Sequence, residues 1–314
     1  MVRRREPRPP SDPAVTESVF SDLARIIREK GFKTPQEAQA YLNKVLKASG
    51  GKPAFPPPRT RTPLQQAQDL MYQAFDEPNR AKRLEMASEA FRISPDCADA
   101  HLMLATDGGG SQEEQIKLLE AAVQAGERGL GREYFEHRVG DFWGMVETRP
   151  YMRARFQLAR CLWWVNRRDE AVAHAVDMLR LNPDDNQGVR YYLLGCYGIL
   201  GDMARVNELL ERRPYRNEVS AEWTYTRALV RFSQEGASAK AAKLLKEAIK
   251  WNRHVPAYLL GEKAIPGKMP EMLEMGEPSE AATYASQFGF MWRKVDGALD
   301  WLRLTAQGRR KRQA

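Results

Sequence analysis

Apolar positions recur at helical spacing along most of the chain. Val19, Phe20, Leu23, Ile26 and Ile27 make a first stripe, and Gly31 follows as a stop. Thr34-Pro35 opens a second helix, with Pro at the first helical position and Glu37 three residues after Thr34. Its apolar face is Ala38, Tyr41, Leu42, Val45 and Leu46. The stretch SGGKPAFPPPRTRTP, residues 49–63, breaks helices and favours an extended linker. From about 64 to 305 the pattern predicts helices of roughly 10–17 residues without strand-like alternation. Ser94-Pro95-Asp96, Gly108-Gly109-Gly110, Asn182-Pro183-Asp184, Gly201-Asp202 and Gly236-Ala237-Ser238 fall between them as turns.

The helices repeat. Met152, Gln187 and Glu222 stand at equal intervals of 35 residues and serve as first positions. Position 8 is then Ala159, Leu194 and Leu229, and position 20 is Ala171, Val206 and Ala241. Mostly small side chains there let two helices of a hairpin approach closely. Larger ones, such as Leu158 and Leu193 at position 7 and Leu162, Tyr197 and Phe232 at position 11, fill the space between neighbouring hairpins.

RARFQLARCLWWVNRRDEAVAHAVDMLRLNPDD, residues 153–185, resembles the tetratricopeptide repeat family, as does YYLLGCYGILGDMARVNELLERRP, residues 191–214. A third unit spans 223–252, and looser ones end at Ser94-Pro95 and run from Ala98 to Gly126. The pattern departs from the family at position 4, where Arg155, Arg190 and Tyr225 replace the common Trp. The resemblance implies an all-α fold, a right-handed α-solenoid of helical hairpins over 64–263. A helical pair at 15–48 precedes the array, a loop at 264–278 follows it, and helices at 279–306 cap it. Ala281, Ala282, Ala285, Phe288 and Trp292 are expected to cover the last repeat. FWGMVETRPYMRAR (142–155), LNPDDNQGVRYYLL (181–194), HVPAYLLG (254–261) and GALDWLR (297–303) also resemble bacterial tetratricopeptide proteins grouped with the suppressor-of-tumorigenicity-7 proteins. That narrower resemblance implies kinship without a defined biochemical activity.

Charge changes the picture only at the ends. The net charge of +8 divides into +7 over residues 1–62, +4 over 308–314 and −3 over the body between. A basic nucleic-acid groove in the folded body is therefore disfavoured. The basic arm 1–14 and the tail 307–314 read as disordered segments. Through Arg3, Arg4, Arg5 and Arg8, with Arg309, Arg310, Lys311 and Arg312, they offer a secondary route to nucleic acid. Three scattered cysteines, Cys97, Cys161 and Cys196, suit buried thiols in a cytoplasmic setting. No run of about 18 apolar residues predicts a membrane span.

In a stack of such hairpins, positions 2, 5, 6, 9, 12 and 13 of the first helices line the concave groove. They place Arg153, Phe156, Arg160, Tyr191, Trp223 and Arg227 there as candidate partner-binding residues. Aromatic and Arg side chains make good anchors, and Arg pairs bidentately with carboxylates. The expected ligand is thus an acidic peptide or partner protein, bound by a scaffold or adaptor. The alternative at each position is an aromatic in the inter-repeat core and an arginine paired with the chain's own Asp or Glu. The Lys and Asn of a chaperone-type carboxylate clamp are absent, with Phe156, Arg160, Tyr191 and Gly195 in their places. His101, His137, His174 and His254 have no metal-ligand spacing, and no phosphate-binding loop is present, so no cofactor, metal or catalysis is expected.

Overall fold

A computed structural model describes residues 13–48, 61–270 and 272–313. Among them it holds sixteen α-helices, one short 3-10 helix and no strand. The chain forms two compact units, residues 1–186 and 187–314.

Unit 1 contains α1 (Pro13–Lys30), α2 (Pro35–Ala48), α3 (Pro63–Asp76), α4 (Arg80–Ile93), α5 (Ala98–Asp107) and α6 (Gln112–Leu130). After them come α7 (Arg132–His137), the 3-10 helix Val146–Thr148, α8 (Arg149–Trp164) and α9 (Arg168–Leu181). The helix starts are chemically marked. Thr62 with Gln65 and Ser111 with Glu114 form capping boxes on α3 and α6, and Asn79 caps α4. Helices α3 and α4, α5 and α6, and α8 and α9 pack as neighbouring pairs. The first helices also touch in series, α3 with α5 and α5 with α8. Close approach depends on small residues: Ala67, Ala74, Ala87, Ala90 and Ala100 are fully buried around Met71 and Met103. At Gly126 of α6, an added Cβ would stand 2.9 Å from Cβ of Tyr151, so only glycine lets α8 come this near.

Two features of unit 1 depart from a plain run of pairs. Residues 131–148 interrupt the series between α6 and α8 with positive-φ glycines at Gly131 and Gly140. This insert is pinned to the end of α9, where the N–H groups of Gly140 and Phe142 donate to the carbonyl of Leu181 at 3.0 and 3.2 Å. The two helices of the N-terminal pair behave differently. Helix α1 packs on α3 and on the 3-10 segment, whereas α2 buries none of its residues. Helix α1 also starts at Pro13, inside the span expected to be a loose arm.

Unit 2 contains α10 (Val189–Leu200), α11 (Met203–Glu211), α12 (Ala221–Glu235), α13 (Ala239–Trp251), α14 (Val255–Leu259), α15 (Pro278–Lys294) and α16 (Ala298–Gln313). Helix α10 pairs with α11, and α12 with α13. The expected capping residues Ala281, Ala282, Ala285, Phe288 and Trp292 are all buried, on a helix that lies against both α10 and α12. Helix α16 packs on α13, and Trp301 stacks on Phe232 with ring centroids 4.4 Å apart. It runs to Gln313, past the boundary at 306, because the Gln, Arg and Lys that follow favour helix. No described helix is long and apolar enough to cross a membrane.

Candidate functional site

The candidate partner-binding residues fall into two groups, one per unit. Arg153, Phe156 and Arg160 lie on α8; Tyr191 lies on α10, and Trp223 and Arg227 lie on α12.

Arg153 is the centre of a buried ionic cluster. Its Nε and Nη2 donate to Oδ1 and Oδ2 of Asp99 at 3.1 and 2.6 Å, a bidentate pairing. Its Nη1 donates to Oε2 of Glu17 at 2.6 Å. Asp99 is 0% exposed and Glu17 is 1% exposed, so both carboxylates have left water. Gln68 of α3 donates to Oδ2 of Asp99 at 2.7 Å, and the ring of Phe75 lies under the guanidinium. Arg149, at the head of α8, approaches the other oxygen of Glu17 at 3.6 Å. It is steadied by the Trp143 carbonyl at 3.0 Å and by the Trp143 ring. Burial works against the Arg153 charge, but Asp99 and Glu17 outweigh it and hold the guanidinium above its ordinary value. Cys97, one turn away, is a buried thiol pushed up to about 12 by burial and the Asp99 charge.

Arg153 is thus paired within the chain, as the alternative reading had it, with Asp99 of α5 and Glu17 of α1. Helix α1 lies on α3 and the 3-10 segment, on the face where an acidic peptide or partner protein was expected. Phe156 is half-buried, and Arg160 is exposed and pairs with no acid among the described residues. Beyond them Trp164 is 80% exposed.

In unit 2 the candidate aromatics are turned inward, Trp223 fully and Tyr191 half-buried. Trp223 is 0% exposed and meets Tyr191 edge-on at 5.4 Å between centroids. Arg190 lies over Tyr191, Tyr215 and Trp223 at 4.2, 5.4 and 5.8 Å and donates to Glu218 at 2.8 Å. The Tyr191 hydroxyl donates to the same carboxylate, and burial with the Glu218 charge raises its pKa. Arg227 donates to the carbonyls of Leu210 and Arg216 at 3.2 and 2.7 Å and pairs with Glu211. These arginines tie down the 212–220 loop, which the 35-residue period leaves unexplained. Three groove positions, Gly195, Gly198 and Thr226, face α15. An added Cβ on Gly198 would come within 2.7 Å of Sδ of Met291, and Thr226 Oγ1 lies 3.3 Å from the Tyr284 hydroxyl.

Sequence reading missed Glu17, Gln68, Asp99 and Arg149. Asp99 carried a usable signal, an acid in the first turn of a helix whose neighbours Ala98, Ala100, Leu102 and Met103 are core residues. Two of the four histidines have structural partners: His101 Nε2 donates to the Pro95 carbonyl at 2.9 Å, and His174 Nδ1 accepts from Arg155 at 3.2 Å. No group of three His, Cys, Asp or Glu among the described residues is arranged to hold a metal ion. Arg3, Arg4, Arg5 and Arg8 lie outside the described residues, as do the side chains of Arg309, Arg310, Lys311 and Arg312.

The stretch FWGMVETRPYMRAR forms the wall that receives α1, contributing Trp143, Arg149 and Arg153. The model of the family described as "ST7 protein" matches residues 32–192 and 199–312, most of the chain. The chain belongs to the ST7 protein family. Among curated ST7 relatives, "Suppressor of tumorigenicity 7 protein-like" of Bos taurus is 26% identical over 271 residues, covering 78% of this chain and 48% of that protein. "Suppressor of tumorigenicity 7 protein" of Macaca fascicularis is 26% identical over 298 residues, covering 78% of this chain and 54% of that protein. The chain spans about half the length of the ST7 relatives it matches.

Proposed function

We propose that this ST7-family chain is a tetratricopeptide-type helical-repeat protein that acts as a scaffold or adaptor, binding a partner protein and catalysing nothing. The observation that carries this reading is the seat of Glu17 on Arg153. The face of the first helices in unit 1 accepts a helix and fixes it through one carboxylate. Buried small residues at the repeat positions, such as Ala159, Ala171, Ala228 and Ala241, support the repeat type. Cys97, Cys161 and Cys196 are thiols without a disulfide among the described residues, which fits a reducing, cytoplasm-like compartment.

Exposed residues of α8 provide the test. A photo-crosslinking residue is introduced at Arg160 or Trp164 and activated in the native cells, with products identified by mass spectrometry. A scaffold gives one or a few discrete proteins joined at these positions and far less at exposed Lys117 of α6. Absence of any joined protein from exposed positions on both units would contradict the proposal.

A further inference from the structure

The manner in which α1 is held carries more than its position. Among its described side chains, Glu17 and Ile26 are buried. They are nine residues apart, about two and a half turns, and so stand on opposite sides of the helix. Among the described side chains of α1 the apolar stripe is only half-buried at Val19 and Leu23 and fully buried at Ile26 alone. A cavity of about 300 Å³ remains beside it, lined among others by Ser21, Asp22, Tyr72, Tyr134 and Tyr151. Permanent packing between helices closes such gaps. The polar anchor of α1 is the Glu17 carboxylate.

The receptor for that carboxylate is built without α1. Arg153 is already aligned by two bonds from Asp99, and Asp99 by Gln68. With Glu17 withdrawn, Arg149 and Arg153 face the single carboxylate of Asp99, a local excess of one positive charge at this cluster. Such a face calls for another carboxylate.

We propose that α1 is an internal ligand, displaced from the first-helix face of unit 1 by a partner's helix that presents a glutamate to Arg153 and Arg149. This rests on the scaffold reading above and names its ligand chemistry and its regulation. Tethering gives α1 an effective concentration in the millimolar range, so an external helix competes poorly until the tethered one is weakened.

The probe is a fluorescein-labelled peptide of residues 13–30, PAVTESVFSDLARIIREK, titrated by anisotropy into the full chain. Glu17→Arg in the chain sets a cation against Arg153 and frees the face. The E17R chain is expected to bind the peptide at least tenfold more tightly than the wild-type chain. A peptide carrying Glu17→Lys is expected to bind the E17R chain at least tenfold more weakly than the natural peptide. Circular dichroism confirms folding; if E17R loses its cooperative melt, E17Q takes its place with the same order and at least a threefold gain. Equal binding by wild-type and variant chains, or none by either, overturns the proposal. A wild-type dimer in light scattering that E17R abolishes would also overturn it, in favour of a second copy as occupant. The titration uses no cellular partner, so its failure removes α1 as an internal ligand and leaves the scaffold reading to the crosslinking experiment.

Discussion

On unit 1 the covering helix is α1, which buries Glu17 and Ile26 among its described side chains. On unit 2 it is α15, which buries ten residues, among them Tyr284, Phe288, Met291 and Trp292. Both helices lie on first helices of the packed pairs, α1 on α3 and α15 on α10 and α12. The means differ. Helix α15 is held by area: each large apolar side chain contributes about 1.5–3 kcal/mol on burial, and Gly195 and Gly198 make room for them. Helix α1 is held by a charge, and breaking an ion pair that can return to water costs far less than opening a core. A helix fixed by area is part of the fold; one fixed by a single carboxylate can be exchanged.

The largest expected effect sharpens the α15 side. Trp292, fully buried and donating to the Tyr284 hydroxyl at 2.8 Å, should cost about 3–5 kcal/mol when truncated by Trp292→Ala. Urea denaturation followed by circular dichroism measures it. A loss below about 1 kcal/mol would mean that α15 is as loosely held as α1. Arg153→Met is the counterpart in unit 1. It leaves Asp99 buried without its cation and should cost about 3–5 kcal/mol. A neutral outcome in the same measurement would break the account of a prebuilt receptor.

A third effect depends on pH and belongs to unit 2. Glu222 on α12 has its pKa pushed up to about 7 by burial and by the nearby Glu280 carboxylate. Glu280 itself accepts from the N–H groups of Ala221 and Gly276 and from Asn252. A raised acid binds its proton more tightly in the folded state. Its contribution is full below about pH 4.5, the unfolded value, and is lost as pH rises to about 7, by up to about 3 kcal/mol. Glu222→Gln should flatten this fall and stabilise the chain at pH 8 relative to wild type, with little change at pH 4.5. Parallel stability curves for the two proteins would refute the assignment.

Much of the fold was legible because helix pairing is local. The apolar stripes, the capping residues and the positions of Ala159, Ala171 and Ala241 lie within one hairpin's reach. The cover of unit 2 was legible too, from the apolar residues 281–292, whereas the cover of unit 1 was not. Glu17 and Arg153 are 136 residues apart, and no periodicity links them. The Arg153 position followed from the repeat, yet the identity of its acid did not. The insert 131–148 has no repeat pattern, so its delivery of Arg149 to α1 emerged only with coordinates. Trp223 and Tyr191 share a groove register with Arg153, but in unit 2 they face Arg190 and Tyr215. Register alone does not tell an occupied groove from an open one.

The smallest global effect expected is that of Glu17→Gln, because Arg153 keeps its bidentate Asp99 partner and α1 can loosen without opening either core. Its signature is local, and the same is true of the wild-type chain. Hydrogen exchange of intact wild-type protein, resolved by helix, therefore tests the central contrast most directly. The amides of α1 are predicted to exchange at least a hundredfold faster than those of α15 and α8. Protection of α1 equal to that of α15 would contradict the account.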